Sequence, residues 1–190
     1  MSRALGAGFR VLMEERNLAR YRVFLKVGAL PLRRTTPREA WADLAVARTH
    51  LAPGVSLWVF PQGVRRPAAE PITGCERGAA HLALSASTPV RIVPVAFRYP
   101  FLGEQLPEGF VLIGAPWVVE PGGEAGRRPL MARIEHELGA TIARLDGRLA
   151  TEETAGFRLL VHGKLSVNKR MDRFRHAVGL LGGRFEARNG

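Results

Sequence analysis

Two adjacent arginines, Arg65 and Arg66, follow a Pro-Gln-Gly turn that ends a run of strand-forming residues. The stretch from Val55 to Arg66 reads V-S-L-W-V-F-P-Q-G-V-R-R. Ligands of open α/β sheets bind beyond the carboxyl ends of the strands. A glycine turn at that position leaves backbone N–H groups free to bind an anion, and guanidinium groups form paired hydrogen bonds to phosphate oxygens. The pattern predicts an anion site, and the alternative is a surface turn with two solvated arginines.

The elements around this turn predict an α/β unit. A strand over Val55–Phe60 lacks clean alternation, as expected when both faces are buried. A capping box at Thr73–Glu76 predicts a helix over Cys75–Ala86, and the next strand is Arg91–Phe97. A strand, a helix and a strand in about 45 residues indicate a parallel crossover unit.

Further elements are predicted on both sides of that unit. Phe9–Met13 is a short apolar strand, and a helix over Leu18–Val27 should end at Gly28. Thr36 begins a second capping box, with proline at the first helical position. Towards the C-terminus, one long helix has apolar residues at helical spacing, namely Leu130, Ile134, Leu138, Ile142, Leu145 and Leu149. We expect a mixed, largely parallel sheet flanked by helices.

Composition limits the class of protein. The 190 residues suit one domain with a small appendage, and the net charge of +11 points to an anionic partner. Cys75 is the single cysteine, so no intramolecular disulfide can form. Aromatics make up 7% of the chain and are not interleaved with the basic clusters, which argues against nucleic acid as the partner.

The C-terminal tail has its own pattern. From His162 to Arg188 there are seven Lys/Arg and two acidic residues beside an apolar stripe. This pattern is typical of an interfacial helix at an anionic membrane surface. The alternative is a stripe that packs on the domain while the cations are solvated. We therefore divide the chain into a domain of residues 1–150 and a basic helical extension of residues 151–190.

Three ordered blocks of the chain resemble the 1-acylglycerol-3-phosphate acyltransferase (lysophosphatidate acyltransferase) family. F-P-Q-G-V-R (Phe60–Arg65) is similar to that family's F-P-E-G-T-R motif. G-A-L-P-L-R-R (Gly28–Arg34) is similar to its glycine-to-arginine block. I-V-P-V-A (Ile92–Ala96) is similar to its V-P-V-A strand, after a helix (Arg77–Ala83) that is also similar. The resemblance covers roughly residues 9 to 119.

The resemblance implies a glycerol-phosphate acyltransferase-like fold and a function in phospholipid biosynthesis. A fatty acyl group would pass from acyl-CoA or acyl-carrier protein to a lysophospholipid hydroxyl, without a cofactor, in a protein peripheral to the cytoplasmic side of the membrane. Arg34 and Arg65 would hold the substrate phosphate, and Arg66 is added for its adjacency. With Arg66 included, the predicted substrate-binding residues are Arg34, Phe60, Pro61, Gln62, Gly63, Arg65, Arg66, Pro94 and Val95, and the resemblance implies that the last two shape the acyl pocket.

The family's general base is missing from the sequence. Its H-x-x-x-x-D block should precede Gly28, yet no histidine lies before His50, and no histidine has an aspartate five residues on. Gln62 and Val64 also replace the family's glutamate and threonine. We name no catalytic residue. Either the chain is truncated and begins downstream of the block, or it is a non-catalytic relative that binds anionic lipid.

Other reactive residues have structural interpretations. His81 lies among apolar helix residues and is expected to be packed there, and Cys75 is expected to be a small structural residue. The five histidines have no metal-ligand spacing, so no metal is predicted. The Gly122–Gly126 segment has no Gly-Lys-Ser/Thr after it and is expected to be a plain loop.

Overall fold

The computed structural model describes residues 8–64, 67, 70–102, 106–123 and 126–161. The strands in these residues are β1 (Gly8–Glu14), β2 (Ala29–Leu32), β3 (Val55–Trp58), β4 (Val90–Ile92), β5 (Val95–Arg98), β6 (Phe110–Ile113) and β7 (Trp117–Val119). The helices are α1 (Glu15–Arg20), α2 (Val23–Lys26), α3 (Pro37–Arg48), α4 (Gly78–Ser85) and α5 (Arg127–Ala150).

The chain is a mixed α/β protein with two compact units. One unit takes the described residues of 1–96 and 112–143, and the other takes those of 97–111 and 144–190. The predicted α/β class is confirmed. Of the basic helical extension predicted for residues 151–190, the described part, residues 151–161, contains no helix. The pattern from His162 onward lies outside the described residues, and the division at residue 150 stays a prediction.

A three-stranded parallel sheet forms the first part of the larger unit, in the order β2-β1-β3. Its register pairs Val11 with Ala29 on one side and with Trp58 on the other. Successive side chains of a strand point to opposite faces. Val11 accordingly packs with Leu18 and Ala29, while Leu12 packs with a cluster from α3 and α4. Both faces are covered, which explains why these strands lack clean alternation.

The predicted crossover from β3 through α4 to a parallel strand is wrong. The predicted strand Arg91–Phe97 is two strands, β4 and β5, interrupted at Val93 and Pro94. Pro94 has no N–H to donate to a ladder, so a continuous strand ends there. In the described residues β4 pairs antiparallel with β7, with Ile92 opposite Trp117, and it belongs to a separate sheet from β3.

Helix starts divide into one confirmed prediction and two corrections. Thr36 caps α3 through its side-chain oxygen, which accepts the Glu39 N–H. The capping box predicted at Thr73–Glu76 is wrong, because α4 begins at Gly78 without a side-chain cap. The helix predicted over Leu18–Val27 is two shorter helices, α1 and α2.

The long C-terminal helix is confirmed as α5, which has 24 residues. The N-terminal part of α5 supplies Leu130, Met131 and Ile134 to a core cluster with Ala80, Ala83 and Val119. Among the helices that the structure describes, none combines the length and apolar content needed to cross a bilayer.

Candidate anion-binding site

The carboxyl edge of the parallel sheet brings together two of the predicted blocks. β2 ends at Leu32 and is followed at once by Arg33 and Arg34, and β3 ends at Trp58 before the Phe60–Gly63 turn. Both strands run parallel to β1, so both segments leave the sheet at the same edge. This edge is where ligands of open α/β sheets bind.

Arg34 joins these segments directly. Its Nη1 donates a hydrogen bond to the carbonyl of Gly63, and its Nη2 donates to Glu76 Oε1 at 3.0 Å. A guanidinium has five N–H donors in a planar fork, and these two bonds are the ones it makes to the described residues. The remaining donors suit a second anionic oxygen, which makes Arg34 the centre of the site.

The turn itself has a fixed backbone. Gly63 has φ of +64°, a value that favours glycine, and its N–H donates to the Phe60 carbonyl at 3.2 Å. The Pro61 carbonyl accepts the Glu76 N–H at 2.7 Å, so the segment before α4 is tied to the turn at a second point. A Cβ on Gly63 would lie 3.0 Å from Arg34 Nη2 and 3.0 Å from Glu76 Cγ. Glycine is therefore needed here both for the φ value and for the space that Arg34 occupies.

The outer residues of the turn are accessible. Phe60 is 64% exposed, whereas Pro61 and Gln62 are half-buried. Arg65 and Arg66 lie outside the described residues, so their predicted role as a second pair of cations stays a prediction. What the structure places at this edge is Arg34 and the turn from Phe60 to Gly63.

Glu76 was missed by the sequence reasoning, which treated it only as part of a capping box. Its side chain is 61% exposed, and its carboxylate accepts a hydrogen bond from the Arg34 guanidinium. A carboxylate and a phosphate present oxygens to a guanidinium in the same bidentate way. Glu76 makes a single contact with Arg34, and its exposed carboxylate lies where an anionic ligand of Arg34 would bind.

Arg33 has a different partner from Arg34. Its Nε and Nη2 donate to the two carboxylate oxygens of Asp43, at 3.0 and 2.6 Å, and its backbone N–H donates to Oδ2 at 2.7 Å. Asp43 is buried on α3, so these bonds hold the start of the site against that helix. The hydrogen bonds from Arg33 lower the pKa of Asp43.

We expect Asp43→Asn to destabilise the protein at neutral pH and to flatten its acid dependence. A carboxylate with a depressed folded-state pKa stabilises the fold above its unfolded pKa of about 3.9, and this stabilisation disappears as pH falls through the folded value. Because Arg33 is partly solvated, we expect about 1–3 kcal/mol at pH 7. Urea unfolding of both proteins from pH 7 to pH 3 should show the difference narrowing below pH 4.

Asp146→Asn is the matched control for that experiment. Asp146 receives the same two-point contact from Arg98, at 2.6 and 2.8 Å, but its side chain is 46% exposed. Asp146 is the exposed member of a part-buried pair, so we expect its loss to cost roughly 1 kcal/mol or less. A difference for Asp43→Asn that stays constant through pH 3 would contradict the depressed pKa.

Pro94 directly precedes β5, and Val95 is its first residue. The Pro94 carbonyl accepts the Gly114 N–H at 2.8 Å, and a Cβ on Gly114 would lie 2.7 Å from Pro94 Cγ. Val95 is half-buried in β5. No hydrogen bond joins either residue to Arg34 in the described chain, so their role in an acyl pocket stays a prediction.

The histidine of α4 is packed as predicted. The His81 ring meets Trp41 edge-on at 4.5 Å between centroids. Burial, followed by the charges of Arg127 and Arg48, lowers the pKa of His81. The hydrogen bonds of Arg34 and of the Phe60–Gly63 turn in the described residues include no histidine.

No metal site is visible in the part of the chain that the structure describes, where no group of three or more His, Cys, Asp and Glu residues could hold an ion. Comparison of the chain with protein-family models, with curated proteins and with solved structures gave no match in any of the three. The functional interpretation therefore depends on the residues at the carboxyl edge and on the motifs they form.

Proposed function

We propose that this chain binds the phosphate of a lysophospholipid at Arg34 and takes part in acyl transfer to that lipid's hydroxyl, with acyl-CoA or acyl-carrier protein as the donor. The observation that supports this most directly is the contact between Arg34 and the Gly63 carbonyl. It joins two of the blocks that resemble the lysophosphatidate acyltransferase family, although 29 residues separate them. The proposal includes the glycerol-phosphate acyltransferase-like fold and a peripheral position at the membrane.

In this proposal the phosphate takes the place of the Glu76 carboxylate on the Arg34 fork. Arg34 keeps its bond to Gly63, which holds the guanidinium against the turn while its other N–H groups meet the ligand. Arg65 and Arg66, which follow the turn in the sequence, supply further positive charge. Pro94 and Val95 shape the pocket for the acyl chain.

The attacking hydroxyl needs a general base. The described histidines His50, His81 and His136 make no hydrogen bond to Arg34 or to the turn. Acyl transfer therefore needs a base that these contacts do not supply. A second candidate function is non-catalytic binding of anionic lipid at the same site, which requires no base.

Phosphate recognition is tested by comparing two ligands that differ in one group. Titration calorimetry with 1-acylglycerol-3-phosphate and with the monoacylglycerol of the same chain length measures how much the phosphate contributes to affinity. Hydrogen bonds to a charged group contribute about 1.5–3 kcal/mol, so we expect the phosphorylated ligand to bind roughly tenfold tighter or more. Equal affinities would contradict the proposed site.

Acyl transfer separates the two candidate functions. The full chain is incubated with 1-acylglycerol-3-phosphate and labelled acyl-CoA or acyl-carrier protein, and the diacyl product is measured by thin-layer chromatography. Product that requires the protein and vanishes in Arg34→Ala supports the enzyme. Phosphate-selective binding without product supports the non-catalytic lipid binder.

A further inference from the structure

The α1–α2 segment presents an apolar surface to solvent. Residues 19–27 are all exposed, and five of them have large apolar or aromatic side chains: Tyr21, Val23, Phe24, Leu25 and Val27. Val23 is the most exposed of these, at 62%. Large apolar side chains scattered singly on a surface are ordinary, whereas a contiguous group indicates an interaction site.

Basic residues alternate with these apolar side chains along the sequence. Arg20, Arg22 and Lys26 lie within residues 19–27, which contain no acidic residue, whereas Arg16 before them pairs with Glu14 at 2.7 Å. The guanidinium of Arg20 lies 5.2 Å from the centre of the Tyr21 ring, and Tyr21 meets Phe24 edge-on at 6.3 Å. Apolar, aromatic and basic side chains together are the composition of segments that lie in the interface of an anionic bilayer.

The segment is fixed to the fold at both ends. Leu18 of α1 is buried with Val11 and Ala29, and the Gly28 carbonyl accepts the Val11 N–H of β1 at 3.2 Å. The exposed side chains between these two points therefore belong to a segment that is held in place by the folded domain. Burying Leu18 does not require Val23, Phe24 or Val27 to be exposed, so their exposure calls for a partner.

We infer that residues 19–27 form a docking surface for a lipid bilayer that contains anionic headgroups. Five apolar side chains in one short segment are few for a stable protein–protein interface, which takes about 20–30 residues on each side. They are enough for shallow insertion, with Arg20, Arg22 and Lys26 meeting lipid phosphates. The choice of a lipid surface rests in part on the proposed function, because lysophospholipids are held in membranes.

The test is co-sedimentation of the full chain with vesicles of phosphatidylcholine alone and with vesicles that also contain phosphatidylglycerol. Neither vesicle contains lysophospholipid or acyl donor, so docking can succeed or fail independently of acyl transfer. We expect binding to the anionic vesicles. We expect Val23→Ser with Phe24→Ser to weaken it roughly tenfold or more, and Arg22→Gln with Lys26→Gln to weaken it roughly fivefold for each cation removed.

Val46→Ser is the matched control, because Val46 is 59% exposed on α3, outside the segment. It should change vesicle binding less than twofold. Unfolding midpoints check that each variant is folded, as expected for exposed positions. Lys169→Gln, Arg170→Gln and Arg173→Gln, made together, measure the contribution of the tail.

Two results would overturn the inference. The first is vesicle binding that is unchanged by both segment variants and lost only with the tail variant, since the tail would then be the membrane contact. The second is a dimer of the unsubstituted chain in sedimentation velocity that dissociates on Val23→Ser with Phe24→Ser, since a second copy would then occupy the surface.

Discussion

Arg34→Ala is expected to weaken binding of 1-acylglycerol-3-phosphate by roughly 10- to 100-fold, because it removes the charge-assisted hydrogen bonds to the phosphate. Affinity for the matching monoacylglycerol should not change, since that ligand has no phosphate for the fork. Titration calorimetry with both ligands measures the two effects. Where the chain transfers acyl groups, kcat/KM for the phosphorylated acceptor should fall by a similar factor.

Two companion variants make this prediction specific. Arg34→Lys keeps the charge but loses the planar fork, so its affinity should lie between those of the unsubstituted chain and Arg34→Ala. Glu76→Gln removes the carboxylate that stands on the fork, so phosphate should bind several-fold tighter, which is the opposite direction. Equal losses for phosphorylated and unphosphorylated ligands in Arg34→Ala would show that Arg34 acts only through the fold.

Gly28→Ala is expected to cost roughly 3–5 kcal/mol of unfolding free energy, the largest stability effect that we predict for a single substitution. Gly28 has φ of +93°, and a Cβ there would collide with the backbone carbonyl oxygen of Phe9. Neither side can yield easily, because the Val11 N–H donates to the Gly28 carbonyl as β2 begins. Urea unfolding monitored by tryptophan fluorescence measures the loss.

Two other glycines separate the causes of that loss. Gly54 has φ of +81° with no atom within 4 Å of the added Cβ, so Gly54→Ala should show the dihedral cost alone, about 1–2 kcal/mol. Gly139 lies in α5, also with no atom within 4 Å, so Gly139→Ala should stabilise the protein by about 0.5–1 kcal/mol. A similar loss for Gly28→Ala and Gly54→Ala would contradict the collision with Phe9.

The sequence predicted the elements whose signals are local. Thr36 and Glu39 are three residues apart, and the Thr36 side chain caps α3 as expected, with its hydroxyl donating to the Glu39 carboxylate. The spacing of apolar residues along α5 also needs no knowledge of distant contacts. The partner of β4 could not be predicted in this way, because pairing with β7 is decided by packing between segments far apart in the chain.

The contacts within the candidate site could not be predicted from local sequence patterns either. Arg33 and Arg34 are adjacent, and nothing in the local pattern tells which one faces a ligand. The structure separates them, since Arg33 is bound by the buried Asp43 and Arg34 reaches Gly63 and Glu76. Glu76 is 42 residues from Arg34 in the sequence. It also lies three residues after Thr73, in the pattern of a capping box, so the sequence did not indicate that it pairs with Arg34.

β2 lies at one edge of the parallel sheet, and its sequence protects that edge. The Val11 N–H donates to the Gly28 carbonyl, and alternation along a parallel ladder then turns the backbone of Pro31 outward. An edge strand with free N–H groups is a template for strands from other chains, and proline removes the donor that such a strand needs. The apolar strand Ala29–Leu32 can therefore lie at the edge of the sheet with a lower tendency to pair with strands of other chains and aggregate.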